Sequence, residues 1–193
     1  MEFFIDFALN ELDTYDFNFI DVSDITDFSG LFEYWDCKDI NISKWNVSKG
    51  RDFSKMFCGA MNICDISKWN VSNAFDMKYM FSDTNDINID ISKWNVSNVR
   101  DMSFMFFNSD FDGNILNWDV SNVEIFTGMF ANCQNFSYNV RKWNISSGKE
   151  FEGIFYNTGS ITTRVLNNIL KYWMENFENT PKDETVYITY PED

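Results

Sequence analysis

Residues 64–81 read CDISKWNVSNAFDMKYMF, and residues 89–106 repeat them almost letter for letter as IDISKWNVSNVRDMSFMF. The tryptophan phrase recurs as WNVS at Trp45, Trp69 and Trp94, as WDVS at Trp118 and as WNIS at Trp143, with spacings of 24, 25, 24 and 25 residues. Ile20-Asp21-Val22-Ser23 fills the same slot one period earlier, so about six units run from Ile20 to about Ser160. A fixed period of this length marks units that cannot bury an apolar face alone and must stack on their neighbours.

Each unit divides in two. The half leading into the tryptophan alternates apolar and polar residues, which predicts a short strand stacked into a parallel sheet. Its apolar columns are Ile42, Ile66, Ile91, Ile115 and Val140, then Val22, Val47, Val71, Val96, Val120 and Ile145. The half after it places Met77, Met80 and Phe81, like Met102, Met105 and Phe106, at the i, i+3, i+4 spacing of one helix face. Asn73 to Asp76 and Asn98 to Asp101 resemble a capping box, so the Asp column (Asp27, Asp52, Asp76, Asp101) is expected at helix starts. Columns Leu31, Met56, Met80, Met105, Met129, Ile154 and Phe32, Phe57, Phe81, Phe106, Phe130, Phe155 complete the predicted core.

The unit W-N-V-S-N-V-x-D-M-x-x-M-F followed by x-I-S-x resembles the repeat of BspA-like leucine-rich repeat proteins, in particular the mycoplasma-type subgroup of about 25 residues. The resemblance covers Ile20 to about Phe155. It implies an α/β fold, a right-handed β/α solenoid of leucine-rich-repeat type with about six coils and parallel strands. It also implies attachment and protein binding as the family's work, and it brings no catalytic residues.

Residues 1–19 fit no repeat and are read as an N-terminal helical cap, with Ile5, Leu9 and Leu12 at helical spacing. Residues 20–159 are the repeats. Residues 160–193 are a C-terminal helical cap and a tail strand: Ile161, Val165, Leu166, Ile169, Leu170, Trp173 and Phe177 trace a helical stripe that Thr180-Pro181 stops, and VYITY at 186–190 favours a strand.

The chain has no His, and Cys37, Cys58, Cys64 and Cys133 show no CxxC spacing, which argues against zinc and for free buried thiols. Neither a glycine-rich phosphate loop nor an HExxH motif is present, so no cofactor is expected and catalysis has little to stand on. No run approaches 18 apolar residues, and the acidic start MEFFIDFALNELD lacks the basic region of a secretory signal; a cytoplasmic location is the expectation, the extracellular surface the alternative. The Asn residues of the NVS phrases (Asn46, Asn70, Asn95, Asn144) form sequons but are read as a stacked polar ladder. The Lys before each Trp (Lys44, Lys68, Lys93, Lys142) is read as solvated and pairing with Asp65 and Asp90.

The net charge of −15 is concentrated at the beginning: residues 1–44 carry −9. Such a surface repels nucleic acid and anionic membranes and suits a basic groove on another protein. The candidate partner-binding residues are Asp13, Asp16, Asp21, Asp24, Asp27, Glu33, Asp36 and Asp39. Two functions follow. One is an acidic, non-enzymatic inhibitor of the anti-CRISPR kind, encoded by a phage or other mobile element, that docks a basic nucleic-acid-binding groove. The alternative is a fragment or relative of a bacterial surface adhesin that binds host or matrix protein.

Overall fold

A computed structural model describes residues 15–85, 87 and 89–178. Among these, regular structure is sparse. There are two parallel two-residue strands, β1 (Tyr15–Asp16) and β2 (Ile40–Asn41), two 3-10 turns (Phe17–Phe19 and Val140–Lys142) and one α-helix, α1 (Thr163–Asn176). The expected leucine-rich-repeat β/α solenoid of about six coils with parallel strands is therefore not the fold. Most of the chain is turns and irregular backbone. The predicted N-terminal helix up to residue 14 and the tail strand at 186–190 lie outside the described residues.

The reason lies in what replaces the strands and helices. The repeated element is Asp or Asn, then an apolar residue, then most often Ser: Asp65-Ile66-Ser67, Asn70-Val71-Ser72 and Asp101-Met102-Ser103 are examples. The first side chain accepts a hydrogen bond from the N–H two residues on, at 2.9 Å from Ser67, 3.1 Å from Ser72 and 2.8 Å from Ser103. This Asx turn competes with helix and strand because it supplies the backbone with a local partner. The apolar middle residue points inward, and Ile66, Val71 and Met102 are fully buried.

In the half predicted to be helical, Met77, Tyr79, Phe81 and Asp83 send their N–H groups to Asp101, Ser103, Met105 and Phe107 of the next repeat, at 2.8–3.0 Å. Between them, Met80 and Ser82 close three-residue turns on Met77 and Tyr79. The alternation needs left-handed backbone twice per repeat. One column is Gly30, Lys55, Tyr79, Phe104, Gly128 and Gly153, and the other is Tyr34, Gly59, Asp83, Asn108, Asn132 and Asn157. Glycine and asparagine, the residues that tolerate positive φ best, hold three positions of the first column and four of the second. Isolated parallel bridges join repeat to repeat at Asp27, Asp52, Asp76, Asp101, Ile125 and Glu150.

The predicted core columns are buried even though the elements carrying them differ. Phe32, Phe57, Phe81, Phe106, Phe130 and Phe155 form a continuous ladder, with ring centroids 5.6–5.8 Å apart and planes within 4–7°. That separation exceeds the ~4.8 Å spacing of paired backbones, so the rings are slipped, the offset arrangement that their quadrupoles favour. Each buried Trp of the phrase donates its Nε1–H to a carbonyl one repeat back: Trp45 to Phe17, Trp69 to Ile42, Trp94 to Ile66, Trp118 to Ile91 and Trp143 to Ile115. Phe17, assigned by sequence to the N-terminal cap, thus takes the place of an Ile-column residue.

Helix α1 buries Leu166, Ile169 and Trp173 of the predicted stripe and ends at Asn176, a few residues before Thr180-Pro181. Thr162 caps it by accepting from the Val165 N–H. Trp173 meets Phe151 and Phe155 at 6.2 and 6.1 Å, much as Trp143 meets Phe126 and Phe130 at 6.4 and 6.2 Å, so the helix continues the tryptophan column by other means.

Phe81→Ala should destabilise the protein by about 3–5 kcal/mol in urea unfolding, because it removes one rung from a close-packed ladder. Gly128→Ala should cost about 1–2 kcal/mol from its left-handed backbone alone, and its new Cβ must also displace the Phe104 ring. A neutral result for Gly128→Ala would contradict the left-handed column.

Candidate protein-binding surface

Seven of the eight acidic candidates are described; Asp13 lies outside the described residues. Asp16, Asp21, Asp27 and Asp36 each start an Asx turn, accepting from the N–H of Asn18, Ser23, Ser29 and Lys38 at 2.9–3.1 Å. Asp36 also accepts from the Asn62 side chain at 2.8 Å. Asp24 is paired with Lys49 and Glu33 lies 3.9 Å from Lys55. The Asp39 side chain is exposed while its carbonyl accepts from the Tyr15 N–H. These carboxylates fall in different columns: Asp16 heads that of Asn41, Asp65 and Asp90, Asp21 heads that of Asn46, Asn70 and Asn95, and Asp27 heads the bridge column.

Turn formation also fixes the charge. The Ser23 hydroxyl and N–H hold the Asp21 carboxyl below its ordinary value of 3.8, and serines two residues on do the same for Asp27, Asp65, Asp90 and Asp119. Asp36 is lowered first by the Asn62 amide and then by the Lys38 N–H. Asp76 runs the other way: half-buried, it is raised by desolvation despite Lys78 at 3.2 Å.

Three expectations are revised here. The Asp column caps no helix; Asp27, Asp52, Asp76 and Asp101 make turns. The NVS asparagines do not form a ladder with one another but close their own turns, and amide bonds between repeats come from other residues, among them Asn73, Asn98 and Asn122, which donate to Ser48, Ser72 and Ser97 carbonyls. The ion pairs fall on Lys49, Lys55, Lys78, Lys149 and Lys171 rather than on the lysines before Trp, although Lys68 and Lys93 still lower Asp65 and Asp90 through space.

All four cysteines are free, and burial pushes the Cys37 thiol up to about 12 and the Cys133 thiol up to about 11. Among the described residues, no three potential ligands of the His, Cys, Asp or Glu type gather to hold a metal ion, and no helix is long and apolar enough to cross a membrane.

Sequence reading missed an aromatic strip on the outer surface. Tyr79 and Phe104 stack at 4.8 Å with planes 11° apart, and Phe107 meets Phe104 edge-on at 5.8 Å. Phe75, 48% exposed, lies under the Arg51 guanidinium at 5.9 Å, and Tyr34, 71% exposed, lies against Gly59. The available signal was variability between repeats: the column of Tyr79 and Phe104 holds Gly and Lys elsewhere, which a core column does not tolerate.

The chain matches, over residues 3–110 and again over 90–182, the family described as "Mycoplasma protein of unknown function, DUF285". It belongs to that family. The two overlapping matches to this mycoplasma repeat family agree with the repetition in the chain, and no curated protein and no solved structure matches it.

The lowered carboxylates set the pH response of this DUF285 protein. A folded-state value below the unfolded one gives stabilisation that is complete above the unfolded value and is lost as pH falls through the folded one. Asp76 contributes with the opposite sign, but it stands against six turn-forming aspartates. The urea midpoint should therefore hold steady near neutrality and drop below about pH 4. A midpoint that rises on acidification would show that desolvation, as at Asp76, dominates.

Proposed function

We propose that this chain is a non-enzymatic protein-binding module whose acidic first repeat docks on a basic surface of another protein. The carrying observation is the set of exposed carboxylates at Asp16, Asp21, Asp27 and Asp36, rigidly placed by their own turns, in the segment of the chain that holds −9. Fixed, ionised groups lose little entropy on meeting a cation and steer encounter through their field. In its sharpest form the module is an inhibitor from a mobile element that occupies a nucleic-acid-binding groove in the cytoplasm. The raised cysteine thiols fit a binding role better than nucleophilic chemistry, since the thiolate is the reactive form.

The second reading is an adhesin-type module related to BspA-like leucine-rich repeat proteins. It draws on the WNVSNV phrase, on the exposed Phe75 and on the half-buried Tyr79–Phe104 stack, since aromatics are enriched at protein interfaces.

The turns supply a clean test. Asn performs the same turn at Asn41, Asn46, Asn70 and Asn95, so Asp16→Asn, Asp21→Asn and Asp36→Asn remove charge while keeping the fold. Tagged protein should capture a basic nucleic-acid-binding protein from the source cell's lysate at low salt and release it near 1 M salt, where the Debye length is about 3 Å. The triple variant should capture none. Capture of a matrix or cell-surface protein, indifferent to salt and to these substitutions but lost in Tyr79→Ser, would favour the adhesin reading.

A further inference from the structure

Beside the 3-10 turn Val140–Lys142 lies an open groove of about 290 Å³. Leu116, 39% exposed, gives it an apolar wall over the buried Val140 and Trp143, and Arg141 and Lys142 bring two adjacent cations to it. Its lining includes no acid, in a chain of net charge −15.

Comparison with the equivalent turns explains the reversal of charge. In the third and fourth repeats the turn begins with Asp65 or Asp90, whose carboxyl interacts with Lys68 or Lys93, and its third residue is Ser67 or Ser92. At the groove both turns begin with neutral amides: Asn114 accepts from the Leu116 N–H, and Asn139 from the Arg141 N–H. The serine position becomes Arg141. No carboxylate lies within 4 Å of the Arg141 or Lys142 charge among the described residues. The Arg141 guanidinium sits 6.0 Å from the Tyr172 ring centroid on α1, which steadies its plane.

We propose that this groove binds an organic oxyanion, a carboxylate or phosphate monoester carried on a small apolar body. The guanidinium fork takes two oxygens side by side, Lys142 adds a point charge, and the exposed Leu116 side chain receives the body. The volume falls at the small end of ligand pockets, about 300–1,000 Å³, which sets the body at a single ring or a few carbons. The acids of the first repeat do not oppose this, because charges beyond about 8 Å are screened at physiological salt. The site is independent of the acidic docking surface.

Benzoate and phenyl phosphate, with inorganic phosphate for comparison, are titrated into the ¹⁵N-labelled full chain. Saturating amide shifts centred on Asn117, Arg141 and Lys142 are expected with either aromatic probe, and which one binds identifies the oxyanion. Asn139→Asp keeps the turn, as Asp65 and Asp90 do, but restores a carboxylate, and it should weaken binding about tenfold or more, as should Arg141→Gln. An unchanged spectrum over the other repeats confirms that both variants are folded. Shifts that never saturate, shifts equal to those at Lys68 and Lys93, or unchanged binding in both variants would overturn the proposal. Inorganic phosphate binding as tightly as phenyl phosphate would overturn the apolar half of it.

Discussion

The Asx turn is the constraint on which the rest depends. An Asp or Asn oxygen holds the N–H two residues on, and the residue between is turned inward. Among the described residues twelve such turns close on a Ser, from Asp21-Val22-Ser23 to Asn144-Ile145-Ser146. A buried backbone donor without a partner costs as much as a lost hydrogen bond, so irregular chain persists in a packed molecule only if its N–H groups are provided for. The turns provide for some of them locally. Bonds from one repeat to the next, such as Met77 to Asp101 and Phe81 to Met105, provide for others. Core packing then follows, because each turn delivers one apolar side chain to the same place in every repeat.

This arrangement links stability and function through one residue type. Several of the carboxylates that make turns, Asp21, Asp27, Asp65 and Asp90 among them, are also exposed charges. Exchange of Asp for Asn leaves the geometry and changes the field, and the repeats already contain both choices. Asp65 and Asp90 keep their column acidic, while Asn114 and Asn139 neutralise it beside Arg141. Local charge is thus free to vary along a conserved backbone pattern within the chain, which is how a chain of net charge −15 holds an acidic first repeat and a cationic groove near its helix.

Much of the core was legible. The Phe, Met, Val and Ile columns were read from period alone, and all are buried, since a residue recurring unchanged at the same phase has the same surroundings each time. The conformation carrying them was not legible by that route. Met77, Met80 and Phe81 fit a helix face by spacing, yet Tyr79 between them is left-handed at φ 55°. The overlooked signal was Gly30, Gly128 and Gly153 in one column with Asn108, Asn132 and Asn157 in another, residues at home in positive φ. For the surface, total charge marked the acidic start, but counting charges does not say where they point. Asp16, Asp21 and Asp27 fall in three different columns, and the Tyr79–Phe104 stack went unremarked among 21 phenylalanines.

The sequence by itself determined the period, the inward columns and the family, because these depend only on which residue types recur at which interval. It also contained the turns, each set by three adjacent residues. The tertiary structure alone decided that N–H groups reach the next repeat rather than their own helix, that the Trp indoles donate one repeat back, and that Arg141 comes to lie beside Tyr172. These depend on partners 23 to 31 residues away, and no local preference specifies a contact across that distance until the repeats have packed.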